Sequence, residues 1–539
     1  MNTDSNQLRL RTVVPWIGVA LLISSVPYAI AWASTPDGKV FTGALVNPDD
    51  VSEYIAALRQ GASGDWLYRF TFSPETVAPR LTYLPYLLAG KLFRIAGGTP
   101  TLWIHILRIV ASAFALLGAV FWVRQCLPDV RTQQTAWYLI VFGSGLGWVL
   151  APFLSADSTL LPDLHTPEWT TVMALLGLPH FALGLSLQAV VLGCAIRMTS
   201  APGGLRWAIG GALAALGLGL TYPFNIVVIV IVVGIDLIVL AARSRRVPWR
   251  AWLHGALVLA PLALLTYYYG VTSRSDPYWD LIFVANNVTP PPPIGGVLIG
   301  FGLIGVLAAL GAWRWLRHAS NWLVPIWMIV NLIALYLPVA FSGRFAFGLI
   351  IPVATLAAVG LEQVVLPWLQ RTRFFERFAR VTPTPYDSLR RIVILLTLPT
   401  TLMVVLSTLR TVAVQRDFPY YLPAGETQAA QWLADYTQKT DLILAYYPIG
   451  NYLPRVIDGK TFLGHKFLTV HLDDKLEKLE QFWNEDTSPE WRMAFLREWG
   501  ITHIYQGQYE RGLMVGEVIP PGEIVYHREG VTIYKVGAP

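Results

Sequence analysis

Apolar runs of about 20 residues, each long enough as a helix to cross the hydrocarbon core of a bilayer, recur from residue 13 to residue 412. They predict membrane spans at 13–33, 101–123, 136–154, 179–196, 207–221, 223–242, 251–271, 294–313, 322–341, 345–366 and 392–412, about eleven in all. The run at 81–96 is different. Lys91 and Arg94 interrupt it, so it is too short and too charged to cross, and its aromatic residues suit a helix lying on the outer surface. Beyond about residue 415 the period changes. Ala429, Trp432, Leu433 and Tyr436 mark a helix, and 442–447 reads as a strand. Asp473 opens a second helix, Ser488-Pro489 opens a third that Gly500 closes, and 501–505 is again strand-like. The segments 523–527 and 531–536 form a terminal hairpin. The expected fold is mainly α. A polytopic helical bundle fills 1–412, with outer-surface loop helices within 34–99, and a small extracytoplasmic α/β domain fills 413–539.

Composition agrees with the pattern. With 54% hydrophobic and 14% charged residues among 539, and a mean hydropathy of +0.49, the chain is too apolar for a soluble multidomain protein. The net charge of +6 comes from Lys and Arg placed between apolar runs, not from a basic stripe on a soluble domain, so nucleic acid is not an expected partner. One alternate set of loops carries Arg124 and Arg131, then Arg197 and Arg206, then Arg243, Arg245, Arg246 and Arg250, then Arg314 and Arg317, and finally the run from 371 to 391. The intervening short loops carry few. This positive-inside pattern, with Arg9 and Arg11 before the first span, puts the N-terminus in the cytoplasm and the C-terminal domain outside a plasma membrane crossed many times. Counting 81–96 as a span would invert every later loop. Ala31-Trp32-Ala33 has the small-x-small form of a cleavage site, but the run before it is longer than a signal h-region, so a retained anchor is expected. Cys126 and Cys194 fall at or within predicted spans and provide neither an outer disulfide nor a metal cluster.

Candidate chemistry collects in the outer loops. In NPDDVSEYIAALRQG, residues 47–61, Asn47 suits an N-cap, Pro48 the first helical position, and Asp49, Asp50 and Glu53 the first turn. Val51, Tyr54, Ile55 and Leu58 form one apolar stripe. Asp50 falls at its border and Asp49 and Glu53 nearer the wet face, so Asp50 is the carboxylate aimed at a buried site. These acids read either as a stabilised helix start or as a catalytic group. A second acidic loop holds Asp157, Asp163, His165 and Glu168, followed by the break Gly177-Leu178-Pro179-His180. That break predicts a short outer helix before the span, with His180 at the outer mouth of the bundle. Asp, His and Glu together can bind a divalent metal, but Thr166-Pro167-Glu168 also reads as a capped helix start, which is the favoured reading. Arg344, in Ser342-Gly343-Arg344, can fork two hydrogen bonds to a phosphate or snorkel to the interface. Pro290 to Pro293 form a stiff polyproline connector. Residues 413–539 contain no GxGxxG, P-loop or nucleophile elbow, and the chain shows no internal repeat.

The order of elements, together with Asn47, Asp50-Val51-Ser52-Glu53-Tyr54, Gly64-Asp65-Trp66-Leu67, Pro167-Glu168, Pro179-His180-Phe181, Arg344, Pro352 and Gly464-His465, resembles the GT-C integral-membrane glycosyltransferases. These include the protein O-mannosyltransferases and the lipid A aminoarabinose transferases. The resemblance implies a sugar donor on polyprenyl phosphate, a glycan, lipid or protein acceptor, and surrounding membrane lipids. It implies that Asp50 serves the acceptor or a metal and that Arg344 holds the lipid phosphate. Asp49 competes with Asp50 for the catalytic part, and Glu168 or Asp163 could supply a second acid. His180, Asp163 and His165 are the further candidates for substrate contacts. No cofactor is certain, and a divalent Mg or Mn ion stays open. The chemistry is consistent with these residues, because an acceptor hydroxyl needs a base and a leaving phosphate needs cationic stabilisation. The expected function is sugar transfer at the outer face of the plasma membrane. The rivals are a transporter or flippase for a lipid-linked saccharide and a non-catalytic membrane subunit with an outer docking domain. A transporter would place ionisable residues within its spans, and Asp236, near a cytoplasmic end, is the candidate of that kind.

Overall fold

The computed structural model describes residues 7–155, 158–200, 203–285, 287–319 and 321–537. Asp157 of the acidic loop lies outside them. The chain forms two compact units, one from 1–27, 106–270 and 289–410, the other from 28–105, 271–288 and 411–539.

Among the described residues, eight helices are long and apolar enough to cross a membrane. They are Leu10–Ala33, Pro100–Cys126, Pro179–Thr199, Gly204–Thr221, Asn225–Ser244, Trp249–Ser275, Ile294–His318 and Ser342–Leu369. The pair Pro385–Leu396 and Pro399–Val414, bent by 41°, gives a ninth if it is one span. The chain is a multi-pass membrane protein. The two remaining apolar runs form shorter helices. Val130–Phe142 stops where Gly143 turns extended at φ −69° and ψ 143°. A side chain at Gly145 would stand 2.3 Å from the Ile299 carbonyl, so this glycine-rich loop keeps its path only without one. Leu323–Ala334 gives way to turns over 335–340. Within the first unit, Ile294–His318 packs closely on Ile350–Gly360. A Cβ at Gly311 would lie 1.8 Å from the Leu356 carbonyl and one at Gly360 2.0 Å from the Leu307 carbonyl, so small residues set the crossing.

Among its described residues the second unit holds two sheets. Strand β1 (Lys39–Phe41) pairs antiparallel with β2 (Tyr421–Pro423). Strands β3 (Leu442–Leu444), β4 (Lys460–Thr461), β5 (His503–Gln506), β6 (Glu523–Arg528) and β7 (Val531–Lys535) form a five-stranded sheet in the order β4-β3-β5-β7-β6. Its β4-β3-β5 part is parallel, and β7 and β6 close it as an antiparallel hairpin. One apolar cluster gathers Leu433, Ile443, Tyr505 and Ile533, and a second gathers Leu444, Phe462, Phe482 and Phe495. The helix Pro489–Trp499 starts on the Ser488 cap and stops at Gly500, φ 68°.

The same unit contains the helix Val51–Ala62, which crosses Leu84–Ala96 at two glycines. A Cβ at Gly61 would meet the Leu87 carbonyl at 2.1 Å, and one at Gly90 the Leu58 carbonyl at 1.9 Å. Two expectations are corrected here. Glu53 is not on a wet face but 5% exposed, and its carboxylate accepts the Tyr83 hydroxyl. Asn47 is not the N-cap, because it sits at φ 51° and the helix begins at Val51 with Asp50 in the cap position.

Two buried carboxylates brace the C-terminal sheet. Glu510 accepts the Tyr446 and Gly507 backbone N–H groups at 2.7 and 2.9 Å, and Glu426 accepts the Tyr505 hydroxyl at 2.7 Å. Burial, and then the charge of Glu426, push the Glu510 carboxyl from its ordinary 4.5 up to about 8. The folded state therefore holds a proton that the unfolded chain has lost between these values, so stability falls as pH rises from 4.5 to about 8. Thermal unfolding in detergent is expected to shift down by several °C across that window, and Glu510→Gln to flatten the slope. An unchanged slope in the variant would assign the pH dependence to other groups.

Candidate functional site

In the second unit, the turn ahead of Val51–Ala62 positions the adjacent carboxylates. Asp50 occupies the cap position but makes no side-chain bond to the helix N–H groups. Its Oδ1 instead lies 3.0 Å from His465 Nε2, and Asn47 Nδ2 donates to its Oδ2 at 3.3 Å. The His465 side chain is 2% exposed and that of Asp50 29%. The Phe467 N–H donates to His465 Nδ1 at 3.2 Å, which fixes the neutral ring as the Nε2–H tautomer, with its proton aimed at Asp50. Burial disfavours the charged imidazole, but the hydrogen bond and charge of Asp50, with Glu53 and Asp49 behind, outweigh it and hold His465 above its ordinary value. Burial also holds the Asp49 carboxyl above the usual carboxylate range, against the pull of Lys466 and His465. Tyr447 neighbours both aspartates. The result is an oriented, partly exposed carboxylate backed by a buried histidine, a form suited to receiving a proton from a hydroxyl.

The first unit builds a second cluster. The Thr166-Pro167-Glu168 segment does not start a helix. It forms a turn, and the next helix, Thr171–Leu176, is capped by Thr170. Glu168 is thereby released from a capping role, and its carboxylate takes the Tyr222 hydroxyl at 3.0 Å and the Arg344 guanidinium at 3.4 Å. The Glu168 side chain is 6% exposed and that of Arg344 25%. Arg344 sits in the 3₁₀ turn Ser342–Ala346, its guanidinium 4.9 Å over the Phe224 ring. The polyproline connector braces that turn. Gly343 donates to the Thr289 carbonyl at 2.8 Å, and a Cβ on Gly343 would lie 2.6 Å from the Pro290 carbonyl. His180, in the first turn of Pro179–Ser200, is buried and stacks on Tyr222 at 6.2 Å, while Tyr222 stacks on Phe347 at 4.2 Å. This cluster offers a cation beside aromatic faces, with an anion holding it in place, which suits an anionic group with an apolar tail.

The structure thus joins Glu168, Arg344 and His180 through Tyr222, and it joins Asp50 and Asp49 to His465. Asp163 and His165 are engaged elsewhere. Asp163 is fully buried in Pro162–His165 and accepts the Gly147 N–H at 3.1 Å, and His165 is exposed with Nε2 2.9 Å from the Ser158 carbonyl. Among the described residues no three His, Cys, Asp or Glu side chains group as metal ligands. Glu168 is already paired with the Arg344 guanidinium, and Asp50 with His465. Sequence reading missed the pairing of His465 with Asp50 and the part of Tyr222. The first partner lies 415 positions away, and only the Gly464-His465 dipeptide hinted at it.

No family model and no curated protein matches the chain. Solved structures do share its fold. The Archaeoglobus fulgidus oligosaccharyltransferase in its apo form aligns with a TM-score of 0.57 at 11% identity, over 92% of this chain and 69% of that one. ArnT from Cupriavidus metallidurans, solved bound to undecaprenyl phosphate, aligns with 0.54 at 12% identity, over 96% of this chain and 98% of that one. The arabinofuranosyltransferase AftD from Mycobacteria aligns with 0.54 at 14% identity, over 99% of this chain and 42% of that one.

Proposed function

The chain has the GT-C fold, and from it we propose a glycosyltransferase that moves a sugar from a polyprenyl-phosphate carrier to an acceptor hydroxyl at the outer face of the plasma membrane. The observation that carries the reading is the orientation of Asp50. A carboxylate at a helix N-terminus usually caps it, worth about 1 kcal/mol. Asp50 makes no such bond and is instead held by His465, with part of its side chain open to solvent. Its role here is general base toward the acceptor. The bond that forms joins the acceptor oxygen to the sugar carbon, the bond that breaks joins that carbon to the phosphate oxygen, and Asp50 takes the hydroxyl proton. For the Arg344 cluster of the first unit, taken by itself, the reading is a contact to the donor's phosphate, whose negative charge a guanidinium held by Glu168 can stabilise. Residues 413–539 are read as part of an extracytoplasmic domain, and the acceptor is a glycan, lipid or protein bearing a hydroxyl. The test is sugar transfer by the purified chain in detergent, supplied with polyprenyl-phosphate-linked sugars and candidate acceptors. Failure of every donor to lose its sugar would overturn the reading.

The reading requires Asp50, Arg344 and the C-terminal segment outside the cell and the arginine-rich loops inside. Single cysteines at the exposed Ser63, Ser275 and Ser488 are expected to react with an impermeant thiol reagent in intact cells, and one at Ser244 to react only after lysis. Labelling of Ser244 with silence at Ser63 would put the proposed chemistry in the cytoplasm.

A further inference from the structure

We propose that the end of the helix Asn225–Ser244 holds the headgroup of an ethanolamine phospholipid. A cavity of about 300 Å³ lies there among Thr199, Asp236, Leu240, Arg243, Asn321 and Trp322. Asp236 is 5% exposed and has no hydrogen-bond or ion-pair partner among the described residues. A carboxylate buried with no partner is unfavourable as an anion, and a cationic or donor group in the cavity would complete it. Arg243 does not do so. Its guanidinium stands 4.9 Å over the Trp322 ring and donates to the Ala319 carbonyl at 3.4 Å. The Trp322 indole nitrogen is itself buried without a hydrogen bond among the described residues.

The cavity is therefore negative at its buried end and positive toward the helix terminus. Asp236 and Arg243 are two helical turns apart, roughly 10 Å along the axis. A carboxylate–ammonium contact, an ethanolamine linker and a phosphate–guanidinium contact together span about that distance. A primary ammonium can hydrogen-bond the carboxylate, whereas a trimethylated one cannot and a glycerol headgroup brings no charge to meet it. The setting is that of a lipid headgroup. The Trp322 and Arg243 pair is typical of the membrane–water boundary.

The test uses the full chain, delipidated in detergent and titrated with phosphatidylethanolamine, phosphatidylcholine, phosphatidylglycerol or free O-phosphoethanolamine, with bound lipid read by native mass spectrometry. The ethanolamine lipid is expected to bind roughly tenfold or more tightly than either other lipid. Asp236→Asn, which removes a buried charge and should melt no lower than the parent, is expected to erase the preference, and Asp236→Glu to keep part of it. Free O-phosphoethanolamine is expected to compete weakly. Equal binding of the three lipids to the unaltered chain would overturn the proposal, and so would a preference that survives Asp236→Asn. Competition by the free headgroup as strong as by the lipid would assign the cavity to a soluble ligand and overturn the lipid assignment.

Discussion

Asp50→Asn is expected to lower sugar transfer by roughly 10²- to 10⁴-fold while leaving the fold and donor affinity intact. The amide keeps the size of the carboxylate and an oxygen to meet His465 Nε2, but it cannot take a proton from the acceptor hydroxyl. Because Asp50 makes no side-chain bond to the helix it precedes, the change removes no cap, and its cost in stability should stay within about 1 kcal/mol. Asp49→Asn is expected to be mild by comparison. Burial already favours the neutral form of Asp49, and an amide resembles it. His465→Gln serves as the positioning control. It should lower kcat less than Asp50→Asn does and shift the pH profile of transfer, because the residue acts through Asp50. Wild-type transfer by Asp50→Asn would end the assignment of a base here and turn attention to Glu168.

Arg344→Ala is expected to weaken polyprenyl-phosphate binding by roughly tenfold to a hundredfold, the loss of a charge-assisted contact worth about 1.5 to 3 kcal/mol. The Glu168 pair complicates the single variant, because the buried Glu168 carboxylate would lose its cation, and an uncompensated buried charge can cost about 3 to 5 kcal/mol. Arg344→Ala combined with Glu168→Gln avoids that cost and should restore stability without restoring donor affinity. Lysine at 344 should rescue binding only in part, since an ammonium cannot reproduce the planar fork or its stacking on Phe224. Affinity unchanged in the double variant, measured with undecaprenyl phosphate, would return Arg344 to an interfacial role.

The sequence was most readable where local chemistry decides the outcome. Ser488-Pro489 and Gly500 bound a helix because a hydroxyl cap, a fixed φ and a left-handed stop act within a single segment. The hairpin of β6 and β7 and the break at Gly177-Leu178 before the helix Pro179–Ser200 follow from equally local signals. Reading failed where a distant neighbour decides. The helix Val51–Ala62 shows an apolar stripe, yet the crossing at Gly61 and Gly90 and the Tyr83 hydroxyl bury Glu53 on what appears in isolation to be its polar side. The run 136–154 is apolar throughout, but hydropathy does not register the extended Gly143 or the contact of Gly145 with the Ile299 backbone. At the site, residue type and position singled out Asp50, Glu168 and Arg344. The contacts around them, His465 for Asp50 and Tyr222 between Glu168 and His180, join segments whose proximity no local pattern encodes.

The most direct measurement follows both halves of one donor. Purified chain in proteoliposomes is given a polyprenyl-phosphate sugar carrying tritium in the sugar and ³²P in the phosphate, together with the acceptor pool extracted from the source envelope. Glycosyl transfer parts the two labels, with tritium moving to the acceptor and ³²P remaining as polyprenyl phosphate, and Asp50→Asn stops the separation. Labels that cross the bilayer together on an intact donor, or that stay joined with wild-type protein and every acceptor, would contradict the glycosyltransferase reading.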